Sequence, residues 1–401
     1  MRLLYLVRHI LRGMQQIDEE RKHKDCAHQT AVVLQPNAWL DKKGKRLFLL
    51  PSAETEDFLM TPVVLPKRNL TTIETITRLP LPALNPCAIL LGSGNGHERP
   101  SGKDFTMAGE DLAFIDGAYV AKATASLPLF DHGYLYGDAV FEGVRSYNGR
   151  VFRLDEHLRR LFFSAHALGF KLDSITIDDV RTAVLELCRR NNHANGYIRV
   201  TMSRGTGLGL DPAHIEQRPR LIISTQELRL YTNELYKAGL TMITCATRVP
   251  PPDVIDPRIK GTGKYINNIL AKMEANRVGA GEGLMLNQVG HVAEATGDNI
   301  FVIIDGKIIT PPTSAGCLKG ITRQAAMELA EQQLGLPVRE ENLTLYDVYN
   351  AEECFLTGTA AEIIPAVALD QRPIGSGKPG DITRRLIGAF RAHTAESGTA
   401  F

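Results

Sequence analysis

Residues 294–323 read EATGDNIFVIIDGKIITPPTSAGCLKGITR, and a Lys-Gly segment, RIKGTGKYINN, stands upstream at residues 258–268. Glu294 opens the long run with a carboxylate. Asn299–Ile304 and Lys307–Thr310 then read as strands about Asp305-Gly306, a dipeptide that favours a tight hairpin. The run closes on Gly320-Ile321-Thr322, where an amphipathic helix begins. The first N–H groups of a helix have no intrahelical partner, so such a start can hold a phosphate. With Lys260 upstream to hold an aldehyde, the run reads as the cradle of a small phosphorylated group.

Outward from this run the pattern stays β-rich. Strands are expected at Leu240–Thr247, Gly283–Asn287 and His291–Ala293, and a last one at Glu353–Thr357 feeds the turn Gly358-Thr359-Ala360-Ala361. Tyr265 to Arg277 has helical spacing, with Ile266, Ile269, Leu270 and Met273 on one face. Towards the N-terminus, short strands at Ala113–Ile115 and Ala118–Ala121 flank Asp116-Gly117. Asp155 can cap a helix carrying Leu158, Leu161, Phe162, Ala165 and Leu168, and Asp178 a second carrying Val180, Ala183, Val184 and Leu187. Tyr197–Ser203 alternates like a half-buried strand, with Tyr197, Arg199 and Thr201 on one face. A tyrosine and an arginine there suggest a carboxylate site, although alone they read as a surface ion pair. Ser203–Pro212 has three alternate glycines but opens no helix, so it is a loop and not a dinucleotide fingerprint.

Composition narrows the classes. The 401 residues are 44% hydrophobic and 23% charged, which is globular usage with material for two folded domains. A net charge of +1 gives no field to draw in nucleic acid or an anionic membrane, so the expected partner is a small molecule. The six cysteines are scattered without a C-x-x-C pair, which argues against a disulfide framework or a structural metal and for a reducing, cytoplasmic setting. No apolar run is long enough to span a membrane. Residues 1–107 stand apart: they are rich in Pro and Thr and end in a Gly/Ser/Pro stretch. They are expected to be a largely disordered extension, or to precede the true start at Met107. The opening MRLLYLVRHILRG has the arginines and leucines of a presequence, but Asp18, Glu19 and Glu20 follow at once, against that reading.

From about Ala108 to Phe390 the chain resembles the fold-type IV (class IV) pyridoxal-phosphate-dependent aminotransferases, and within them the branched-chain amino acid aminotransferases. The resemblance rests on Glu294, Thr296, Asn299-Ile300-Phe301, Ile308–Thr310 and Leu318-x-Gly320-Ile321-x-Arg323. FDHGYLYGDAVFEGVRSYNGRVFRLDEHLRRL, GYIRV, RGTGLGLDP and LTGTAAEIIP support it, in the family's order. It implies an α/β (α+β) fold with a small α/β domain over 108–227, a linker over 228–239 and a larger β-rich cofactor domain over 240–395. The implied cofactor is pyridoxal 5'-phosphate.

The same resemblance distributes roles. Lys260 is the implied catalytic residue, forming the Schiff base and moving the substrate proton, which requires a primary amine of lowered pKa. Lys264 stands where relatives usually carry asparagine, placing a second amine nearby. Glu294 is implied to face the pyridine nitrogen, Tyr265 the phenolic oxygen, and Arg160, Ile321, Thr322 and Thr359 the phosphate. The family pattern selects Arg160 over its neighbour Arg159. Phe141, Arg145, Tyr197 and Arg199 are implied to shape the substrate pocket, with Arg199 and Tyr136 meeting the glutamate γ-carboxylate. Tyr197, Thr359 and Ala360 are implied to take the α-carboxylate. Leu208 and Leu210 are implied to reach a neighbouring subunit, making a homodimer the smallest active unit. The expected reaction is ping-pong transamination of leucine, isoleucine or valine with 2-oxoglutarate. A D-amino acid aminotransferase or an aminodeoxychorismate lyase would share Lys260 and Glu294 but alter FEGVR and YIR. A non-enzymatic binding module would be expected to break the Lys260 constellation, which is intact.

Overall fold

The computed structural model describes residues 47–51, 60–64, 111–227 and 230–401. Within the first hundred residues, β1 (Leu47–Pro51) and β2 (Met60–Val64) pair antiparallel, Leu47 opposite Val64. The expectation of disorder for residues 1–107 otherwise lies outside the described residues.

Residues from 112 onward build two sheets. The first contains β3 (Leu112–Ile115), β4 (Ala118–Ala121), β5 (Ala139–Tyr147), β6 (Arg150–Val151), β7 (Gly196–Ser203) and β8 (Arg220–Gln226). All its pairings are antiparallel. Its helices are α1 (His132–Tyr136), α2 (Leu154–Ala167) and α3 (Ile177–Arg190). Alternation along β7 buries Ile198, Val200 and Met202 completely, where they pack with Leu158 and Leu161 of α2 and Val184 and Leu187 of α3. Tyr197, Arg199 and Thr201 face the other way, half-buried, as the period of two requires.

The helix starts differ from expectation. Arg153, in the left-handed region at φ 49°, precedes α2, and Asp155 lies inside its first turn and does not cap it. Thr176, not Asp178, caps α3: it accepts from the Asp179 N–H while Asp179 accepts from the Thr176 N–H. This reciprocal box satisfies two orphan donors, more than a lone aspartate cap can.

The second sheet follows α4 (Asn233–Ala238) and is mixed. It contains β9 (Leu240–Thr244), β10 (Glu282–Leu286), β11 (Val292–Ala295), β12 (Asn299–Ile304), β13 (Lys307–Thr310), β14 (Val338–Glu340), β15 (Glu353–Gly358), β16 (Glu362–Leu369) and β17 (Arg372–Pro373). Its helices are α5 (Tyr265–Arg277), α6 (Ile321–Gln332), α7 (Leu345–Tyr349) and α8 (Asp381–Glu396). Both faces of β12 and β15 are covered. Ile300, Val302 and Leu356 enter one core, and Phe301, Ile303 and Phe355 enter another with α6 and α8. β18 (Thr399–Ala400) returns the C-terminus to β6 in the first sheet.

α5 packs on its small face. Asn268, Ala271 and Ala275 are buried, whereas Ile266, Ile269, Leu270 and Met273 are exposed.

Candidate active site

The Lys260 segment is stitched to the edge of β5. The Phe141 N–H donates to the Lys260 carbonyl at 3.0 Å, and the Thr262 N–H to the Ala139 carbonyl at 2.7 Å. The first sheet thus presents Phe141 to the amine, while α5 brings Tyr265 from the other side. Lys260 Nζ donates to Tyr265 Oη at 2.8 Å and lies 4.8 Å from the centre of the Phe141 ring. The Phe141 and Tyr265 rings meet edge to face at 4.8 Å.

A cavity adjoins the amine. Arg160, Lys260, Tyr265, Glu294, Ile321, Thr322 and Thr359, proposed from sequence as one group, all line it. Burial, together with the Arg160 charge, lowers the Lys260 amine to about 8. Burial pushes the Tyr265 phenol up and raises Glu294, although Lys264 and the Leu318 N–H, which donates to Glu294 Oε2 at 2.8 Å, oppose the second shift. Lys264 itself turns away, its ammonium donating to the Pro257 carbonyl at 2.8 Å. Ile321 and Thr322 open α6, whose first turn has no side-chain cap. Arg323 points elsewhere, to the Pro311 carbonyl and Glu340.

Arg160 is held by a residue the sequence reading missed. Its Nε and Nη2 donate to the two oxygens of Glu142 at 2.7 and 2.8 Å, and its Nη1 to the Lys319 carbonyl at 2.7 Å. His157 Nδ1 also contacts Glu142, at 2.7 Å. Burial alone would raise the Glu142 carboxyl, but the Arg160 charge, His157 and their hydrogen bonds hold it at about 2. The signal was present: Glu142 alternates with Val140 and Val144 on the apolar face of a strand. A carboxylate placed there requires a buried partner.

The remaining predicted residues divide. The Arg199 guanidinium stacks on Phe141 at 3.4 Å, and burial lowers its pKa. Gly143 lies beside Tyr197: a β-carbon at Gly143 would be 2.1 Å from the Tyr197 hydroxyl. Arg145 donates to the Ala360 carbonyl at 3.2 Å and pairs with Glu362 at 3.6 Å. Phe141, Arg145, Tyr197, Arg199 and Ala360 do not line the cavity, and neither do Tyr136, Leu208 and Leu210. Tyr136 contacts the glycine loop, and Leu208 and Leu210 are 69% and 78% exposed. Asp298 and Thr357 were also missed. Asp298 lines the cavity, and burial followed by Glu282 pushes its carboxyl up to about 7.

The donor set fits pyridoxal phosphate. It offers an amine for an aldehyde, a carboxylate for a ring nitrogen, a phenol beside the amine, and a guanidinium near an uncapped helix start for a phosphate. Two buried polar atoms of cavity-lining residues, Thr357 Oγ1 and Asn268 Oδ1, have no protein partner. Gly320 and Gly358 also keep the walls clear: a β-carbon at either would collide with Asn299 or Asp298, at 2.0 and 1.8 Å.

Residues 139–369 match the amino-transferase class IV family. A protein from Methanocaldococcus jannaschii assigned as a branched-chain-amino-acid aminotransferase is 42% identical over 279 residues, 69% of this chain and 94% of that one. The Pseudomonas aeruginosa branched-chain-amino-acid aminotransferase is 37% identical over 71% of this chain and 94% of its own. The crystal structure of the branched-chain amino acid aminotransferase from Thermobaculum terrenum in its PLP form superposes with a TM-score of 0.66 at 30% identity, covering 71% of this chain and 94% of that one. The chain belongs to the class IV aminotransferase family. It is a pyridoxal-phosphate-dependent aminotransferase of fold-type IV. Among the described residues no helix is long and apolar enough to cross a membrane, and no acidic, histidine or cysteine cluster is placed to hold a metal.

Proposed function

We propose that this enzyme transfers the amino group of L-leucine, L-isoleucine or L-valine to 2-oxoglutarate, giving branched-chain 2-oxo acids and L-glutamate in a ping-pong reaction. The observation that carries the reading is the wall beside the Lys260 amine, where Phe141 lies 4.8 Å from Nζ with the Arg199 guanidinium stacked on its ring. An apolar ring suits an aliphatic side chain, and a guanidinium suits the second carboxylate of glutamate. The relatives are named as branched-chain aminotransferases, which supports the same choice.

Pyridoxal phosphate supplies an aldehyde and an electron-accepting ring for the pair left when the substrate Cα–H bond breaks. Lys260 would hold the aldehyde when the cofactor is bound, and its amine, in the neutral form, would be the base that moves the substrate Cα proton. Tyr265 receives a hydrogen bond from the Lys260 amine and orients it. Glu294 would keep a proton at the ring nitrogen, while Arg160, Ile321, Thr322 and Thr359 would hold the phosphate. Tyr197 and the backbone at Thr359-Ala360 orient the substrate α-carboxylate. Arg145, bonded to the Ala360 carbonyl, steadies that turn.

The active unit is a homodimer in which the exposed Leu208 and Leu210, with Tyr136, contribute to substrate binding. The four cysteines among the described residues are buried and free, which suits a reducing cytoplasm. A donor panel against 2-oxoglutarate tests the reading. L-leucine should turn over faster than D-alanine; the reverse order would assign the enzyme to the D-specific branch.

A further inference from the structure

The glycine loop that carries Leu208 and Leu210 is gripped at one residue. The Gly209 N–H donates to Tyr136 Oη at 3.0 Å, and the Gly209 carbonyl accepts from His132 Nε2 at 2.9 Å. Both backbone polar groups of Gly209 are therefore held by side chains one turn apart on α1, whose rings lie 4.7 Å from each other. Gly209 has φ 104°, a conformation that side-chain-bearing residues rarely adopt, so the grip fixes a backbone shape that glycine makes available.

The grip is itself anchored. His132 is buried at 3% exposure, and its Nδ1 lies 2.7 Å from Asp138 Oδ2. Arg204 donates to Asp138 at 2.6 and 3.1 Å and to the Leu168 carbonyl at 2.8 Å, so the Asp138 carboxylate is held from two sides. A carbonyl can only accept, so His132 Nε2 donates to Gly209, while Nδ1 faces the Asp138 carboxylate. At its other end α1 reaches the catalytic segment: Gly137 caps the helix, and its carbonyl accepts from the Gly263 N–H at 3.0 Å, three residues beyond Lys260.

We propose that His132, oriented by Asp138 and Arg204, is a positioning residue that fixes Gly209 and so sets where Leu208 and Leu210 stand, making it a determinant of selectivity for aliphatic side chains. This rests on the reading of Leu208 and Leu210 as substrate-binding residues of a branched-chain aminotransferase. Asp138 and Arg204 are its support and touch no substrate.

The test compares holoenzymes carrying His132→Phe, which keeps a ring but neither ring nitrogen, and His132→Gln, which keeps one donor for the Gly209 carbonyl. Hydrogen exchange read by mass spectrometry should be faster over residues 205–210 in His132→Phe and partly restored in His132→Gln. In His132→Phe the KM for L-leucine should rise about tenfold with kcat within about twofold, the size expected from loss of one buried hydrogen bond. Cofactor absorbance should be retained. Unchanged loop exchange in His132→Phe would overturn the clamp, and equal losses in kcat and cofactor binding would reduce His132 to a structural residue. Leu208→Ala and Leu210→Ala, which leave the clamp intact, separate the underlying reading. An unchanged leucine KM in both would overturn the selectivity claim even if His132→Phe frees the loop.

Discussion

Replacing Lys260 by methionine should stabilise the cofactor-free protein at neutral pH while abolishing its chemistry. The Lys260 amine is lowered to about 8, first by burial and then by the Arg160 charge, against about 10.4 in an unfolded chain. Between these values the unfolded chain binds more protons, so stability rises with pH from about 8 to about 10.4. Below pH 8 the cost of the buried charge is present in full. A difference of that size is worth about 3 kcal/mol, and losing the bond to Tyr265, 2.8 Å long, takes back about 1 kcal/mol. Methionine is unbranched and flexible enough to fill the vacated space, so the variant should gain about 2 kcal/mol at pH 7. Urea unfolding followed by circular dichroism at pH 7 and near pH 10 measures it. The gain should vanish at the higher pH; equal differences at the two values, or no gain at pH 7, would refute the account. The strain has a chemical return. At pH 7 about a tenth of the amine is neutral, roughly 200-fold more than for an ordinary lysine.

Glu142→Gln should cost about 3–5 kcal/mol by leaving the Arg160 charge without its carboxylate, and should weaken pyridoxal phosphate binding. It should also move the Lys260 titration below its present value, because Glu142 supports that ammonium; unchanged urea and absorbance midpoints would contradict both. Gly143→Ala places a β-carbon 2.1 Å from the Tyr197 hydroxyl, so the donor KM should rise while cofactor absorbance persists, and an unaltered KM would exclude Tyr197 from substrate binding. Asp298 is pushed up to about 7, against about 3.9 unfolded, so the parent loses stability as pH rises through that window. Thermal unfolding of Asp298→Asn should therefore gain on the parent from pH 4.5 to pH 8, and a constant difference would count against the raised carboxyl.

What was legible in the sequence was mostly local. The hairpin strands 299–304 and 307–310 form within the bounds that Asp305-Gly306 sets, since turn chemistry and a period of two act over a few residues. α5 runs over Tyr265–Arg277 as its spacing requires, yet that spacing misleads about packing. Its apolar side chains stay exposed because the helix settles on Asn268, Ala271 and Ala275. Small residues allow a close approach, and Asn268 can bond the Thr296 carbonyl at 2.9 Å. Periodicity shows that a face exists; the neighbouring element decides which face is buried.

The same distinction divides the candidate site into residues marked by local signals and residues that needed coordinates. Lys260, Tyr265, Glu294 and Ile321-Thr322 lie on segments with their own turn or helix signals, and they meet at one cavity. Glu142 lies between Phe141 and Arg145 in the same short motif but points to the opposite face, so its function is set by Arg160 and His157, 18 and 15 residues away. His132 is similar: its contact with Gly209 spans 77 residues. Both are polar groups in buried positions, and each is tolerated because its hydrogen bonds are met by distant segments. A buried charge or imidazole in an otherwise apolar or glycine-rich stretch is thus a sequence signal that a partner exists. It leaves the partner unnamed, and here the partners tie Glu142 to Arg160 at the cavity wall and His132 to the glycine loop.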